Sequence, residues 1–183
     1  MRTPAHGRTN GPRAARGHAP DLARHDFREP PPDHALRPPW SRAGDAFDQA
    51  CTRCAACIEA CPTHVLKLAS GRVRIDYADG ECTFCGACVA SCPEPAFDVA
   101  AHASGARAWN AVARIDETCL AKLDVPCQSC GDACEAHAIR FRARGSAVPD
   151  PRVDGTACTA CGACVRVCPA SAIAIATRPI AQS

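Results

Sequence analysis

The chain has 183 residues and a formal net charge of +2, which leaves room for one medium domain or two small ones. Its 47% hydrophobic content overstates the core: 16 of those residues are cysteine, and only two Trp, one Tyr, five Phe and one Met are large. Apolar packing alone cannot offset chain entropy in a small domain so poor in large side chains, so disulfides or metals are expected.

Residues 1–42 read as a disordered basic tail rich in Pro and Arg, ending in the patch RPPWS at Arg37–Ser41. The first 35 or so residues carry almost no periodic apolar pattern, and His6, His18, His25 and His34 there read as solvated. A Trp behind two prolines is stiff and apolar, so Leu36–Ser41 is expected to pack on the folded body. The tail has no interleaved aromatics of the kind that bind nucleic acid, and no nucleic-acid partner is expected. It has no apolar signal core and no twin-arginine pair. No apolar run approaches the roughly 18 residues of a membrane span. The expected compartment is the reducing cytoplasm, where thiols stay free to bind metal.

A fourfold repeat follows. CTRCAACIEACP begins at Cys51, CTFCGACVASCP at Cys82 and CTACGACVRVCP at Cys158, and the looser CLAKLDVPCQSCGDACE lies at Cys119–Glu135. Each group follows an apolar residue and an aspartate: Phe47-Asp48, Ile75-Asp76, Ile115-Asp116 and Val153-Asp154. After the first group, alternation at Leu66 and Leu68, a turn near Ser70-Gly71, and alternation at Val73 and Ile75 predict a hairpin. A second hairpin is predicted from Ile139 and Phe141 with a turn near Gly145. Corresponding cysteines of groups one and two lie 31 residues apart, and Cys127, Cys130 and Cys134 of group three each lie 34 before their counterparts in group four. Two modules of two motifs each are therefore expected, over residues 43–104 and 105–183.

Three cysteines at CxxCxxC can curl round three irons of a cubane. The cysteine three residues further on points away and ligates the neighbouring cluster in paired motifs. Small residues between the ligands let the backbone close on the cluster, as at Ala55-Ala56, Gly86-Ala87 and Gly162-Ala163. Structural zinc instead draws CxxC pairs from separated loops, which one run of four cysteines fits poorly. A disulfide framework suits neither the tight loops nor the compartment.

Cross-ligation predicts four sets. Cys51, Cys54, Cys57 and Cys92 form set one; Cys82, Cys85, Cys88 and Cys61 form set two. Cys119, Cys127, Cys130 and Cys168 form set three; Cys158, Cys161, Cys164 and Cys134 form set four. Three [4Fe–4S] clusters rest on regular motifs. The fourth rests on group three, where seven residues separate Cys119 from Cys127 and Glu135 replaces the proline. The insertion can loop out at little entropic cost. A three-iron, labile or absent cluster is the alternative there.

His64 and His137 follow cysteine groups and could hydrogen-bond a sulfur, but an exposed or structural role is expected of them and of His102. No nucleophile–base constellation, GxGxxG or Walker loop is present, so no enzyme active site is expected.

The paired motifs resemble bacterial-type 2[4Fe–4S] ferredoxins, which implies an α+β fold of two tandem, loop-rich ferredoxin-like modules with βαββαβ order. RPPWS (37–41), the first two groups, ARAW (106–109), the stretched third group and CGACVRVCPASAI (161–173) occur in an order that resembles the NapF family of ferredoxin-type proteins. That resemblance implies a cytoplasmic accessory protein that helps mature the periplasmic nitrate reductase catalytic subunit NapA before export, by contact with its precursor. The competing expectation is a soluble carrier of single electrons between redox enzymes. Both need the same clusters.

Overall fold

Each cysteine group folds as a tight loop ending in one helical turn, and the secondary structure between groups is equally short. The computed structural model describes residues 36–143 and 145–178. The tail expected to be disordered over residues 1–35 lies outside these residues.

The first half opens with α1 (Ala46–Ala50), which buries Phe47 edge-on against Phe97, ring centres 5.5 Å apart. A one-turn helix α2 (Ala56–Glu59) carries Cys57, and α3 (Ala87–Ala90) carries Cys88. Between them, β1 (Leu66–Ala69) pairs antiparallel with β2 (Arg72–Ile75) from Leu66↔Ile75 to Ala69↔Arg72. Ser70 and Gly71 both take positive φ, 49° and 72°, as a two-residue hairpin turn with the twist of its strands demands. The predicted hairpin is present in that register. A helix α4 (Val99–Ala103), capped by the Asp98 carboxylate accepting from Ala101 N–H, closes this half.

In the second half β3 (Ala111–Ile115) pairs antiparallel with β6 (Ile173–Thr177), and β4 (Ile139–Arg142) pairs with β5 (Asp150–Val153) as the second predicted hairpin. One-turn helices α5 (Ser129–Asp132) and α6 (Ala163–Arg166) carry Cys130 and Cys164. In the first half the outer strand pair shrinks to a single bridge, Ser41↔Phe97. Pro38 and Pro39 precede one partner while Pro93 and Pro95 precede the other, and proline offers no N–H to extend a ladder.

One apolar cluster runs from Leu36, Trp40 and Phe47 through Leu66, Val73 and Tyr77 to Trp109, Ala111 and Ala160, so the two halves share a core. A second, around Val112, Ile139 and Ile173, lies within the later half. The RPPW patch packs on the body, with Trp40 and Leu36 each 8% exposed. Its partner is ARAW. Trp40 donates Nε1–H to the Ala106 carbonyl at 2.8 Å, and Trp109 returns Nε1–H to the Arg37 carbonyl at 2.9 Å. Phe84 lies edge-on between the two indoles, at 6.3 Å and 5.8 Å. Each Trp thus buries its ring and satisfies its one donor on the other's segment.

Candidate metal centres

The loops of groups one, two and four share one backbone shape. The residue before the second cysteine is left-handed at Arg53, Phe84 and Ala160, with φ 61°, 57° and 64°. The residue before the one-turn helix is left-handed again at Ala55, Gly86 and Gly162, with φ 65°, 73° and 90°. Most of these are not glycine, so the conformation costs energy that the loop must recover elsewhere. Alternating left- and right-handed residues turn successive N–H groups to one side, forming a concavity that suits an anion such as a thiolate-bound cluster.

Group three reaches the same end differently. Pro126 cannot take positive φ, and Gln128 has a negative φ of −134°. Its insertion folds into a 3-10 turn (Leu120–Leu123) ended by Asp124 in the left-handed region at φ 61°. Leu123 N–H bonds back to the Cys119 carbonyl at 3.1 Å, and Val125 N–H to the Leu120 carbonyl at 2.9 Å. The seven intervening residues are thereby folded away and Cys119, buried at 9% exposure, stays beside its group.

The electrostatics of the thiols reveal their neighbours. Burial pushes Cys57 up to about 11, and the charges of Cys51, Cys92 and Cys54 add to it. Burial likewise raises Cys88 to about 12, with Cys82, Cys57 and Cys85 adding. Cys82 rises to about 11 through burial, with Cys61, Cys85 and Cys161 adding. Cys130 rises to about 11 through burial and the charges of Cys119, Cys127 and Cys168. Cys164 rises to about 12 through burial, then Cys161, Cys158, Cys130 and Cys134. Most of these neighbours belong to the predicted set of the thiol they act on, while Cys57 acts across sets on Cys88, Cys161 on Cys82 and Cys130 on Cys164. Desolvated thiolates massed in this way repel one another and call for a bound cation.

The fourth cysteine of each group is held by the chain that leaves it. Ala138 N–H donates to Cys134 Sγ and Ala172 N–H to Cys168 Sγ, both at 3.3 Å. Burial alone would raise Cys61, yet hydrogen bonds from the Thr63 side chain and from Val65, Thr63 and Leu66 N–H hold it below its ordinary value. His64, His137 and Ser171 each stand three residues after such a cysteine with φ of 54°, 47° and 49°. The two histidines serve there as left-handed turn residues with exposed side chains. His102 instead packs edge-on against Trp40, 4.6 Å between ring centres.

Three of the four aspartates before the groups begin a turn. Asp76 accepts from Ala78 N–H, Asp116 from Thr118 N–H, and Asp154 from Thr156 N–H, each at 2.8 Å. Asp48 does otherwise. It accepts from Arg74 at 3.0 and 3.2 Å and from Arg37 Nε at 3.0 Å. Burial opposes its ionisation, but these two guanidinium groups hold its carboxyl below the ordinary 3.8. Sequence reasoning passed over Arg74, Phe84, Arg107 and Tyr77. Arg107, in ARAW, donates to the Thr156 carbonyl at 2.9 Å and also to the Cys158 carbonyl, bracing loop four from the joint between halves. Tyr77 could have been singled out as the only tyrosine in the chain.

These donors fit iron–sulfur cubes. All are thiols on anion-accepting loops, and backbone N–H groups already point at sulfur. Among the described residues no three His, Cys, Asp or Glu side chains close in on a single metal ion. Thiolates on the corners of a cube stand further apart than that.

Residues 46–93 match one 4Fe-4S dicluster domain family and residues 125–172 match another, so that every predicted ligand except Cys119 lies inside a match. The chain is 40% identical over 141 residues to the ferredoxin-type protein NapF of Escherichia coli strain K12, covering 76% of this chain and 84% of that protein. It is 41% identical over 139 residues to NapF of Haemophilus influenzae strain Rd, covering 75% and 77%. The methylamine utilization ferredoxin-type protein MauM of Methylobacillus flagellatus is 34% identical over 167 residues, covering 83% and 71%. No helix among the described residues is long and apolar enough to cross a membrane. Identity of this extent, laid over dicluster matches and gathered thiols, makes the chain a [4Fe–4S] cluster-binding member of the NapF family of ferredoxin-type proteins.

Proposed function

We propose that the chain carries four [4Fe–4S] clusters, one on each cross-ligated set with Cys119 completing set three, and serves in the cytoplasm as an accessory to nitrate reductase, maturing the NapA precursor before export. The observation that carries the role is the identity to NapF across most of both lengths. A bound cube supplies one-electron storage together with exchangeable iron and sulfide. The chain's own residues do the rest. The loops orient the thiolates, the N–H groups offset their charge, and the Trp40–Trp109 clasp holds Phe84 of the second loop between its indoles. Both halves are read as versions of one βαββαβ plan, residues 43–104 and 105–183, with the outer pair of the first reduced to its bridge.

Affinity purification of the full chain from nitrate-grown cells tests the role. NapA precursor should co-purify from the cytoplasmic fraction, and a strain lacking the chain should accumulate inactive NapA. Fully active NapA in that strain would contradict it.

A second reading, a carrier of single electrons, is favoured by the exposure of Cys54 and Cys85 at the surface. Film voltammetry distinguishes it. Reversible one-electron waves that persist through many cycles without loss of iron support a carrier, and loss of iron on contact with NapA supports donation.

A further inference from the structure

Tyr77 lies outside all four cysteine groups, yet it stands where two of the sets meet. Its hydroxyl donates to the Ala160 carbonyl at 2.7 Å, inside loop four. Its ring lies over Gly162, where a Cβ would collide with it. Beside it, Cys82 N–H donates to the Cys161 carbonyl at 2.8 Å, joining a residue of set two directly to one of set four. Arg166 and Glu81 bridge the same seam at 3.5 Å. The ring is 8% exposed.

Within the halves, Cys57 of set one and Cys88 of set two lie in one buried cluster, and Cys130 of set three and Cys164 of set four lie in another. Cys54 and Cys85 are exposed, whereas the corresponding Cys161 is covered in part by the seam. We infer that the four cluster sites form a single line in the order one, two, four, three, and that Tyr77 is the positioning residue that closes its central step. This rests on the ligand sets proposed above. With both sites loaded, the seam would let sets two and four exchange one electron, the cube held by set two being oxidised by one as the cube held by set four is reduced by one. No bond forms or breaks and no proton moves. Sets one and three are then the terminal stations at which a one-electron donor or acceptor protein engages.

The test is EPR of the full chain reduced with dithionite, with iron and sulfide measured on each sample. Wild type should show spin–spin broadening that links all four centres. Gly162→Ala should keep its iron and lose the part of the broadening that joins the two halves. Tyr77→Phe, which keeps the ring and loses the hydroxyl, should weaken it. A wild-type spectrum from Gly162→Ala with full iron overturns the inference. If Gly162→Ala loses iron, Tyr77→Phe decides, and a wild-type spectrum from it overturns the inference equally. A wild-type protein short of iron would instead overturn the ligand sets, and the line with them.

Discussion

At the scale of residues, Asp48 and Cys119 are the most exacting cases. Asp48 is the counterion of Arg74, whose side chain is only 7% exposed. Asp48→Asn would leave that guanidinium buried and uncompensated, at a cost of about 3 kcal/mol in chemical unfolding of the cluster-loaded protein. A carboxylate held below its ordinary 3.8 stabilises the fold above that pH, and its contribution is lost as pH falls through the lowered value. The gap between parent and Asp48→Asn should therefore be constant at higher pH and close only below the ordinary value. Cys119→Ala addresses the irregular group. Iron and sulfide should each fall by about four per chain while the other sets persist. Unchanged content would remove Cys119 from the ligands.

The roles of these two residues were legible to different degrees. Cys119 could be assigned because cross-ligation leaves one place for it, although Pro126 and the insertion disguise the spacing. The recurrence of aspartate before each group was plain in the sequence, but not that Asp48 departs from the other three. Its partners lie 11 and 26 residues away, and local pattern carries no trace of them.

At the scale of elements, the loops depend on backbone conformations that few side chains tolerate. Gly86 has φ +73° and a Cβ there would strike the His102 imidazole, whereas Gly44 has φ +57° with open space around it. Gly86→Ala should cost about 2 kcal/mol, strain plus displacement of His102 from Trp40. Gly44→Ala should cost about 1 kcal/mol, strain alone. Urea unfolding of both loaded variants checks the order. Equal costs would mean that the close approach of His102 does not matter. The clasp is more demanding, since Trp40→Ala removes a buried ring together with its hydrogen bond to Ala106, for about 4 kcal/mol. The hairpins were readable because alternation and turn residues are local signals. The clasp was visible only as two separated words, RPPW and ARAW. The structure shows why both are there: each tryptophan donates to a backbone carbonyl in the other's segment, Trp40 to Ala106 and Trp109 to Arg37.

At the scale of the whole molecule, sixteen cysteines stand where larger apolar residues would make a core. Cys57, Cys61 and Cys88 are counted among the buried residues of the main cluster, and Cys130, Cys158 and Cys164 among those of the second. The metal is therefore part of the fold's stability. Removing it with a chelator and reductant should abolish cooperative unfolding and most far-ultraviolet dichroism. A cluster-free chain that still melts cooperatively would show that the apolar packing suffices. The even repeat predicts two tandem modules, and one apolar cluster passes from Leu36 to Ala160 across both. Contacts such as Tyr77 to Ala160 join residues 83 apart, which the repeat itself does not foretell. The chain was read as two similar halves because repetition is a property of sequence. Their union is a property of packing.

The central claim is that these thiols hold four cubes. Its most direct test is iron, acid-labile sulfide and zinc per chain after anaerobic purification. Four occupied sets predict about sixteen irons and about sixteen sulfides, with negligible zinc. Zinc without sulfide, reproduced in freshly reconstituted protein, would contradict the account.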